Sequence, residues 1–205
     1  MKDRPAAPPA PADAATRADL LKRGGLAAAG GLAGAAVLAH AGGVVAAPSA
    51  AQEQRVLNLL LLVERTEYAF YRQALKQAGL GGDMQEYAQV VVDHEREHMQ
   101  ALEKALGSAA DKKPTFDFGD AVKSAEAFAD NAASLEDVAV AAYNGQAGNV
   151  GPDAFLLAAR IVSVEARHAA WIRSIAGRDP APDAVDKPQT EKQIRQSLQQ
   201  LGVTS

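Results

Sequence analysis

The sequence predicts an all-α fold, in which four long helices form a bundle and a long connection joins the second helix to the third. Hydrophobic residues make up 48% of the 205 residues but aromatic residues only 5%, and much of the apolar content is Ala, Leu and Val. This composition favours helices over sheets, because the aromatic residues that pack well in strands are scarce. Beyond residue 50 the chain also divides into four amphipathic segments separated by turn signals.

The four predicted helices cover about residues 51–79, 83–107, 120–145 and 152–177. Apolar residues recur along each of them at helical spacing. Glycines stand where the first, second and fourth helices end, and Pro152 stands in the first turn of the fourth, where proline is tolerated. The chain after residue 179 predicts one more short helix, over about 188–201, which looks polar and peripheral.

The connection over residues 108–118 distinguishes this bundle from one with short loops only. Its eleven residues can span about 36 Å at most, and a 25-residue helix is about 37 Å long. The connection can therefore run nearly the length of the bundle, whereas the other two connections are short. This predicts two helical hairpins joined by one long crossover between the second and third helices.

Charge and cysteine content exclude several classes of function. The net charge is −4 and no basic patch is evident, which argues against a nucleic-acid partner. The chain has no cysteine, so disulfides, thiolate ligands and a cysteine nucleophile are excluded. Any bound metal must therefore have oxygen and imidazole ligands.

Residues 1–47 predict a targeting segment. The first part is rich in Ala and Pro and carries basic residues, and the part over 25–47 is weakly apolar and ends in small residues suited to cleavage. These features are typical of a secretory signal and predict export to the periplasm or the cell exterior. Residues 16–22 resemble a twin-arginine motif, but Ala18 stands in place of the second arginine, so the export route stays open. An uncleaved membrane anchor and an uncleaved disordered tail are the alternatives.

We therefore divide the chain into three parts. Residues 1–47 form the targeting segment, 48–178 the helical bundle, and 179–205 a polar tail with its short helix. Contact with a membrane is expected only if the targeting segment is retained.

One pattern of Glu, Tyr and Glu-x-x-His occurs twice along the predicted helices. Its members are, in order, Glu64, Tyr71, Glu95 and His98, and then Glu136, Tyr143, Glu165 and His168. In both copies the tyrosine follows the first glutamate by seven residues, and the two glutamates are 31 and 29 residues apart. The two hairpins are therefore an internal repeat.

A metal site explains this pattern. A Glu and a His three residues apart lie on one helix face, so both can reach one metal ion. Four carboxylates near helix centres would be buried, and without compensation they would destabilise the fold or become protonated. Two divalent cations cancel their charge. We predict a dinuclear site whose six ligands are Glu64, Glu95, His98, Glu136, Glu165 and His168. Such ligands suit iron or manganese, with zinc as an alternative.

The stretches 62–71, 93–98, 135–145 and 164–170 resemble the ferritin-like superfamily, especially its exported bacterial members of the desiccation-related type. The resemblance extends over about residues 53–177 and implies a ferritin-like four-helix bundle. It further implies that Glu64 and Glu136 are terminal ligands, that Glu95 and Glu165 bridge the metals, and that each histidine binds one. Tyr71 and Tyr143 would donate hydrogen bonds to the carboxylates of the opposite half.

The expected cofactor is a pair of iron ions. If the site turns over, the expected reaction is oxidation of Fe(II) by dioxygen or peroxide, which would make the protein a ferroxidase-like oxidoreductase. The alternative is a non-enzymatic protein of stress or desiccation protection, in which the metal is structural or absent. Iron storage would need a cage-forming homo-oligomer, and the sequence leaves the oligomeric state open.

Several residues near the pattern have competing interpretations. Glu67 competes with Glu64, but the spacing to Tyr71 favours Glu64 and places Glu67 at the rim or behind the ligands. His94 is interpreted in the same way. Tyr71 and Tyr143 are equally well explained as core tyrosines whose hydroxyls need partners. The arginines near the pattern are interpreted as solvated helix face, namely Arg65, Arg72, Arg96 and Arg167.

Residues His94 to His98 also satisfy the H-E-x-x-H pattern of zinc peptidases. That interpretation lacks a third ligand and leaves Glu165, His168 and the repeat unexplained. We therefore favour the dinuclear site.

Overall fold

The computed structural model describes residues 47–204, so the predicted targeting segment lies outside the described residues except for Ala47. The described part contains five α-helices: α1 (Ala50–Gln77), α2 (Gly82–Leu106), α3 (Ala125–Gln146), α4 (Pro152–Ile175) and α5 (Glu191–Gln200). It also contains two short strands, β1 (Thr115–Phe116) and β2 (Val203–Thr204), which pair antiparallel.

Local side chains define where the helices begin. Ser49 caps α1 by accepting a hydrogen bond from the backbone N–H of Gln52, and Ser124 caps α3 in the same way. Pro152 occupies the first turn of α4. The third helix begins later than predicted because residues 119–122 form a 3₁₀ turn ahead of the cap.

The four long helices form the predicted bundle. Helix α1 pairs with α2 and α3 pairs with α4, and the two hairpins pack with α1 against α3 and α2 against α4. Buried Leu, Val, Ala and aromatic side chains fill the space between the helices. The prediction of an all-α bundle with one long crossover between the second and third helices is confirmed.

The crossover runs alongside α1 in the same N-to-C direction. The Asn58 side chain donates to the carbonyl of Ala109 at 3.0 Å and accepts from the N–H of Asp111 at 2.8 Å. Further on, the rings of Phe118 and Phe70 meet edge to face at 5.4 Å. Since helix residues rise about 1.5 Å each, the crossover tracks α1 for roughly 18 Å between these contacts.

This path corrects one expectation about surface charge. Arg65 is only 8% exposed, and it donates to the Asp111 carbonyl and to Glu103, both at 2.8 Å. The prediction that Arg65 faces solvent is wrong because the crossover covers that face of α1. Arg72, Arg96 and Arg167 are exposed as predicted.

The tail is more closely packed than predicted. Helix α5 is present, but Ile194 and Leu198 are 0% and 1% exposed and contact the bundle through α3 and α1. Val203 then pairs with Phe116 of the crossover. Most residues of α5 are exposed, as expected for a polar surface helix, but two apolar side chains four residues apart give it one buried face.

Between residues 47 and 204 the structure has no helix that combines the length and the apolar content needed to cross a membrane.

Candidate metal centre

The six predicted ligand residues come together in the middle of the bundle, and all four long helices contribute. They form two overlapping groups in which potential ligand atoms lie within 4.8 Å of one another. One group is Glu64, Glu95, His98 and Glu165, and the other is Glu95, Glu136, Glu165 and His168. All four carboxylates are fully buried.

In the first group the Nδ1 atom of His98 faces three carboxylates. It lies 2.7 Å from Glu165 Oε1, 3.1 Å from Glu95 Oε2 and 3.4 Å from Glu64 Oε2. Because Glu95 and His98 are three residues apart on α2, they reach this point from one helix face.

The second group repeats this geometry on the other hairpin. The Nδ1 atom of His168 lies 3.0 Å from Glu95 Oε1, 3.1 Å from Glu165 Oε2 and 3.5 Å from Glu136 Oε2. Glu95 and Glu165 therefore present one oxygen to each imidazole, whereas Glu64 and Glu136 each face only one. This division corresponds to the bridging and terminal roles that the sequence resemblance implies.

The two phenols cross between the hairpins. The Tyr71 hydroxyl donates to Oε1 of Glu136, and the Tyr143 hydroxyl donates to Oε1 of Glu64. Burial, reinforced by the adjacent carboxylate, raises the pKa of both tyrosines, so they stay neutral donors. Each phenol orients a carboxylate whose other oxygen faces a histidine. The two tyrosines are thus core residues and carboxylate donors at once.

The centre strongly favours positive charge. Burial raises the pKa of Glu95 and Glu165, and neighbouring carboxylates raise it further. Burial on its own lowers the pKa of the histidines, but the surrounding carboxylates outweigh it, raising the pKa of His168 to about 12 and that of His98 further still. In the metal-free protein the imidazolium ions therefore balance part of the carboxylate charge.

The sequence model of the ferritin-like domain family matches residues 52–178, which covers more than half of the chain and all six clustered residues. The chain belongs to the ferritin-like domain family. No curated protein matches the sequence.

The four clustered carboxylates of the ferritin-like domain still have oxygens available to bind a cation. Among residues 47–204, one buried oxygen of each clustered carboxylate has no hydrogen-bond partner: Glu64 Oε2, Glu95 Oε1, Glu136 Oε2 and Glu165 Oε1. Each of these oxygens faces a histidine nitrogen. Buried unpaired oxygens are costly, and divalent cations with oxygen and imidazole preferences would satisfy them. The residues of the cluster therefore fit a pair of such ions.

Glu67 is buried next to the cluster but is not part of it. Its side chain is fully buried, and neither oxygen has a hydrogen-bond partner within the described part of the chain. It belongs to neither group, whereas Glu64 belongs to the first. Burial and then the charge of Glu95 raise the pKa of Glu67, which favours its neutral form. Of the two positions predicted for Glu67, the rim is wrong and the position behind the ligands fits, because Glu67 is buried one helical turn from Glu64.

Two further contacts were not evident from the repeat. Tyr87 is buried, lies 2.9 Å from the Tyr71 hydroxyl and donates to Glu136 Oε1 at 3.2 Å. His94 Nδ1 lies 2.9 Å from His168 Nε2. Neither residue has a counterpart in the second copy of the pattern, so the repeat could not find Tyr87 or assign a contact to His94.

The position of His94 also bears on the peptidase pattern. In an H-E-x-x-H site both histidines bind the same zinc ion. Here His98 belongs to the first group and His94 belongs to neither. The geometry therefore does not support a peptidase.

Proposed function

We propose that this ferritin-like domain binds two iron ions at the six clustered residues and oxidises Fe(II) with dioxygen or peroxide. The observation that carries the proposal is a set of four buried carboxylate oxygens. They accept no hydrogen bond from the described residues, yet each lies 2.7–3.5 Å from an imidazole nitrogen in the core. His98 and Glu64 would hold one ion, His168 and Glu136 the other, and Glu95 and Glu165 would serve both.

Bound iron would supply one-electron redox chemistry toward dioxygen or peroxide, which none of the side chains in the cluster can supply alone. The protein contributes position, charge and exclusion of water. Four helices hold the carboxylates, and the hydrogen bonds from Tyr71 and Tyr143 orient the two terminal ones. Manganese and zinc also accept oxygen and imidazole ligands. Elemental analysis of the bound metal therefore has to distinguish them from iron.

The test starts with metal binding. Purified protein loaded anaerobically with Fe(II) should retain close to two iron ions per chain by elemental analysis. Glu95→Ala should lose most of this iron because Glu95 faces both histidines. Glu97→Ala is the matched control, since Glu97 is an exposed carboxylate two residues away. A wild-type protein that retains no more iron than Glu95→Ala would contradict the ligand assignment.

The same variants then test turnover. Addition of air to the loaded protein should give oxygen consumption that depends on Fe(II) in wild type and Glu97→Ala, but not in Glu95→Ala. Retention of two metal ions without such consumption would leave the non-enzymatic alternative, in which the metal is structural.

We also propose that the mature domain works outside the cytoplasm. The support is the order of a basic segment, a weakly apolar segment and small residues over 1–47. Fractionation of the native host, with mass spectrometry of the N-terminus, should find the protein outside the cytoplasm and shortened near residue 41 or 47. A full-length cytoplasmic protein would contradict the proposal.

A further inference from the structure

The two halves of the centre are equivalent in the sequence repeat but not in their surroundings. The His168 side chain is 3% exposed and that of His98 is 12% exposed. His168 has a second histidine beside it. The Nε2 atom of His168 lies 2.9 Å from His94 Nδ1, and the two rings are nearly parallel, at 17°, with centroids 5.2 Å apart. In the part of the chain that the structure describes, His98 makes its hydrogen bond through Nδ1 and none through Nε2.

The carboxylates of Glu136 and Glu64 also differ, and again the Glu136–His168 half has more hydrogen-bond partners. Oε1 of Glu136 accepts hydrogen bonds from two phenols, those of Tyr71 and Tyr87. Oε1 of Glu64 accepts one from Tyr143, and no other side chain among residues 47–204 donates to it. Trp171 of α4 meets the Tyr87 ring edge to face at 5.2 Å and so helps to hold it in place.

Two positions on α2 produce this difference. His94 directly precedes Glu95, and the corresponding residue before Glu165 is Val164. Tyr87 lies eight residues before Glu95, and the corresponding residue before Glu165 is Leu157. The second copy of the pattern thus has apolar side chains where the first has hydrogen-bonding ones. His94 contacts His168 on α4 and Tyr87 contacts Glu136 on α3, so both polar side chains act on the half-site of the other hairpin.

A hydrogen bond behind a ligand histidine affects metal binding directly. In His168 the Nδ1 atom faces the carboxylates, so a metal ion bound there leaves the proton on Nε2. A partner that accepts this proton selects the tautomer, fixes the ring and makes the ligand more basic. His94 Nδ1 is placed to be that acceptor. Loss of such a partner typically lowers metal affinity about 10- to 100-fold.

We propose that His94 and Tyr87 are positioning residues that make the Glu136–His168 half-site the tighter of the two, so that this half-site fills first. The more exposed Glu64–His98 half-site then takes the second ion. This inference rests on the proposed function, since it requires that both half-sites bind metal.

Titration of the full chain with Co(II) tests the order of filling, with calorimetry for affinity and visible absorption for the coordination of each ion. Wild-type protein should bind two ions in two resolved steps. Glu136→Gln should remove the tight step, and Glu64→Gln should remove the weak one. Loss of the tight step in Glu64→Gln, or two equal steps in wild type, would overturn the inference while leaving the proposed function intact. No binding of Co(II) at all would overturn both.

Substitution of His94 tests its role. His94→Ala should lower the affinity of the tight step about 10- to 100-fold and change the absorption of the first bound ion, with the weak step unchanged. His94→Asn should restore most of the affinity, because Asn Oδ1 can accept from His168 Nε2. Tyr87→Phe should also weaken the tight step alone. Asp93→Ala is the control, since Asp93 is exposed and pairs with Arg96 on the surface.

The variants also give results that contradict this role. If His94→Ala lowers both steps equally or neither, or if His94→Asn is no better than His94→Ala, His94 does not position His168. Thermal unfolding of each metal-free variant shows whether it is folded. Should His94→Ala fail to fold, the other two variants decide the question. A positioning role requires that Tyr87→Phe weakens only the tight step and that His94→Asn preserves this step.

Discussion

Glu64 and Glu67 lie one turn apart on α1, and both side chains are fully buried. Their surroundings nevertheless differ. Glu64 accepts a hydrogen bond from Tyr143 and faces His98 at 3.4 Å, whereas Glu67 has no hydrogen-bond partner among the residues that the structure describes. Burial raises the pKa of Glu67, and the neutral acid is still left with unsatisfied polar atoms. The same residue type therefore has different surroundings and different roles at these two positions.

This contrast predicts different results when either glutamate is replaced by methionine. Glu67→Met should keep two bound metal ions and raise the free energy of unfolding by about 1–3 kcal/mol, because it removes a buried group without partners. Glu64→Met should reduce the metal content to about one ion per chain. Elemental analysis and denaturant unfolding in EDTA measure both effects. Loss of metal in Glu67→Met would instead make Glu67 a ligand.

At the scale of secondary-structure elements, the tail is held against the bundle by a close backbone approach. The N–H of Gln189 donates to the carbonyl of Ala141 at 3.0 Å. A Cβ atom at Gly145 would lie 2.0 Å from the Gln189 carbonyl oxygen. Gly145 is part of α3, so glycine is present here to let the tail pass rather than to end the helix.

Gly145→Ala should therefore destabilise the protein although helix propensity favours Ala by about 0.5–1 kcal/mol. The clash must displace the tail, so we expect a net loss of at least about 1 kcal/mol and faster proteolysis after residue 179. Gly148→Ala is the matched control, because a Cβ atom there meets nothing within 4 Å. Thermal unfolding and limited proteolysis compare the two variants. Equal stability of both would show that the tail does not pack as described.

The apolar face of α5 gives a second prediction at this scale. Ile194 is fully buried, so Ile194→Ala should lower the free energy of unfolding by about 2–5 kcal/mol through lost burial and the resulting cavity. The exposed neighbour Lys192 provides the control Lys192→Ala, which should change it by less than about 0.5 kcal/mol. Denaturant unfolding measures both. A small effect of Ile194→Ala would show that the buried face of α5 adds little to stability.

For the whole molecule, the charge balance of the centre links folding to pH. The pKa values of Glu95 and Glu165 are raised above 4.5, and those of His98 and His168 are raised above 6.5. In each case the folded protein binds more protons than the unfolded chain, so stability falls as pH rises. The carboxyl contribution begins to fall above pH 4.5. The imidazolium contribution is complete below pH 6.5 and is lost toward the folded pKa, which is about 12 for His168.

The metal-free protein should therefore melt at a lower temperature at pH 8 than at pH 5. Metal binding has the opposite dependence, since the ligands must release protons. The difference in melting temperature between Co(II)-loaded and EDTA-treated protein should widen from pH 5 to pH 8, and it should vanish in Glu95→Ala. Thermal unfolding followed by circular dichroism measures this difference. A difference independent of pH would show that the clustered carboxylates and imidazoles do not exchange protons for metal.

Many features of the bundle follow from local sequence. Helical periodicity predicted the four long helices, and the length of the 108–118 connection predicted the crossover. The repeat of Glu, Tyr and Glu-x-x-His identified six residues that the structure does bring together. It could do so because a helix fixes which residues share a face, so that Glu95 and His98 must point the same way. Their binding of metal stays a prediction, as do the export signal and the oxidase activity.

The remaining features depend on contacts between elements that are distant in sequence. Arg65 is buried because the crossover passes over it, and Ile194 because α5 returns to the bundle. His94 reaches the opposite half-site because α2 packs against α4, and Tyr87 reaches Glu136 of α3 inside the bundle. The periodicity of a helix defines the direction of each side chain, but the path of the loops and the pairing of helices define what that side chain meets. For this reason the residues and spacing predicted a symmetric pair of half-sites, and the packing of the helices made them unequal.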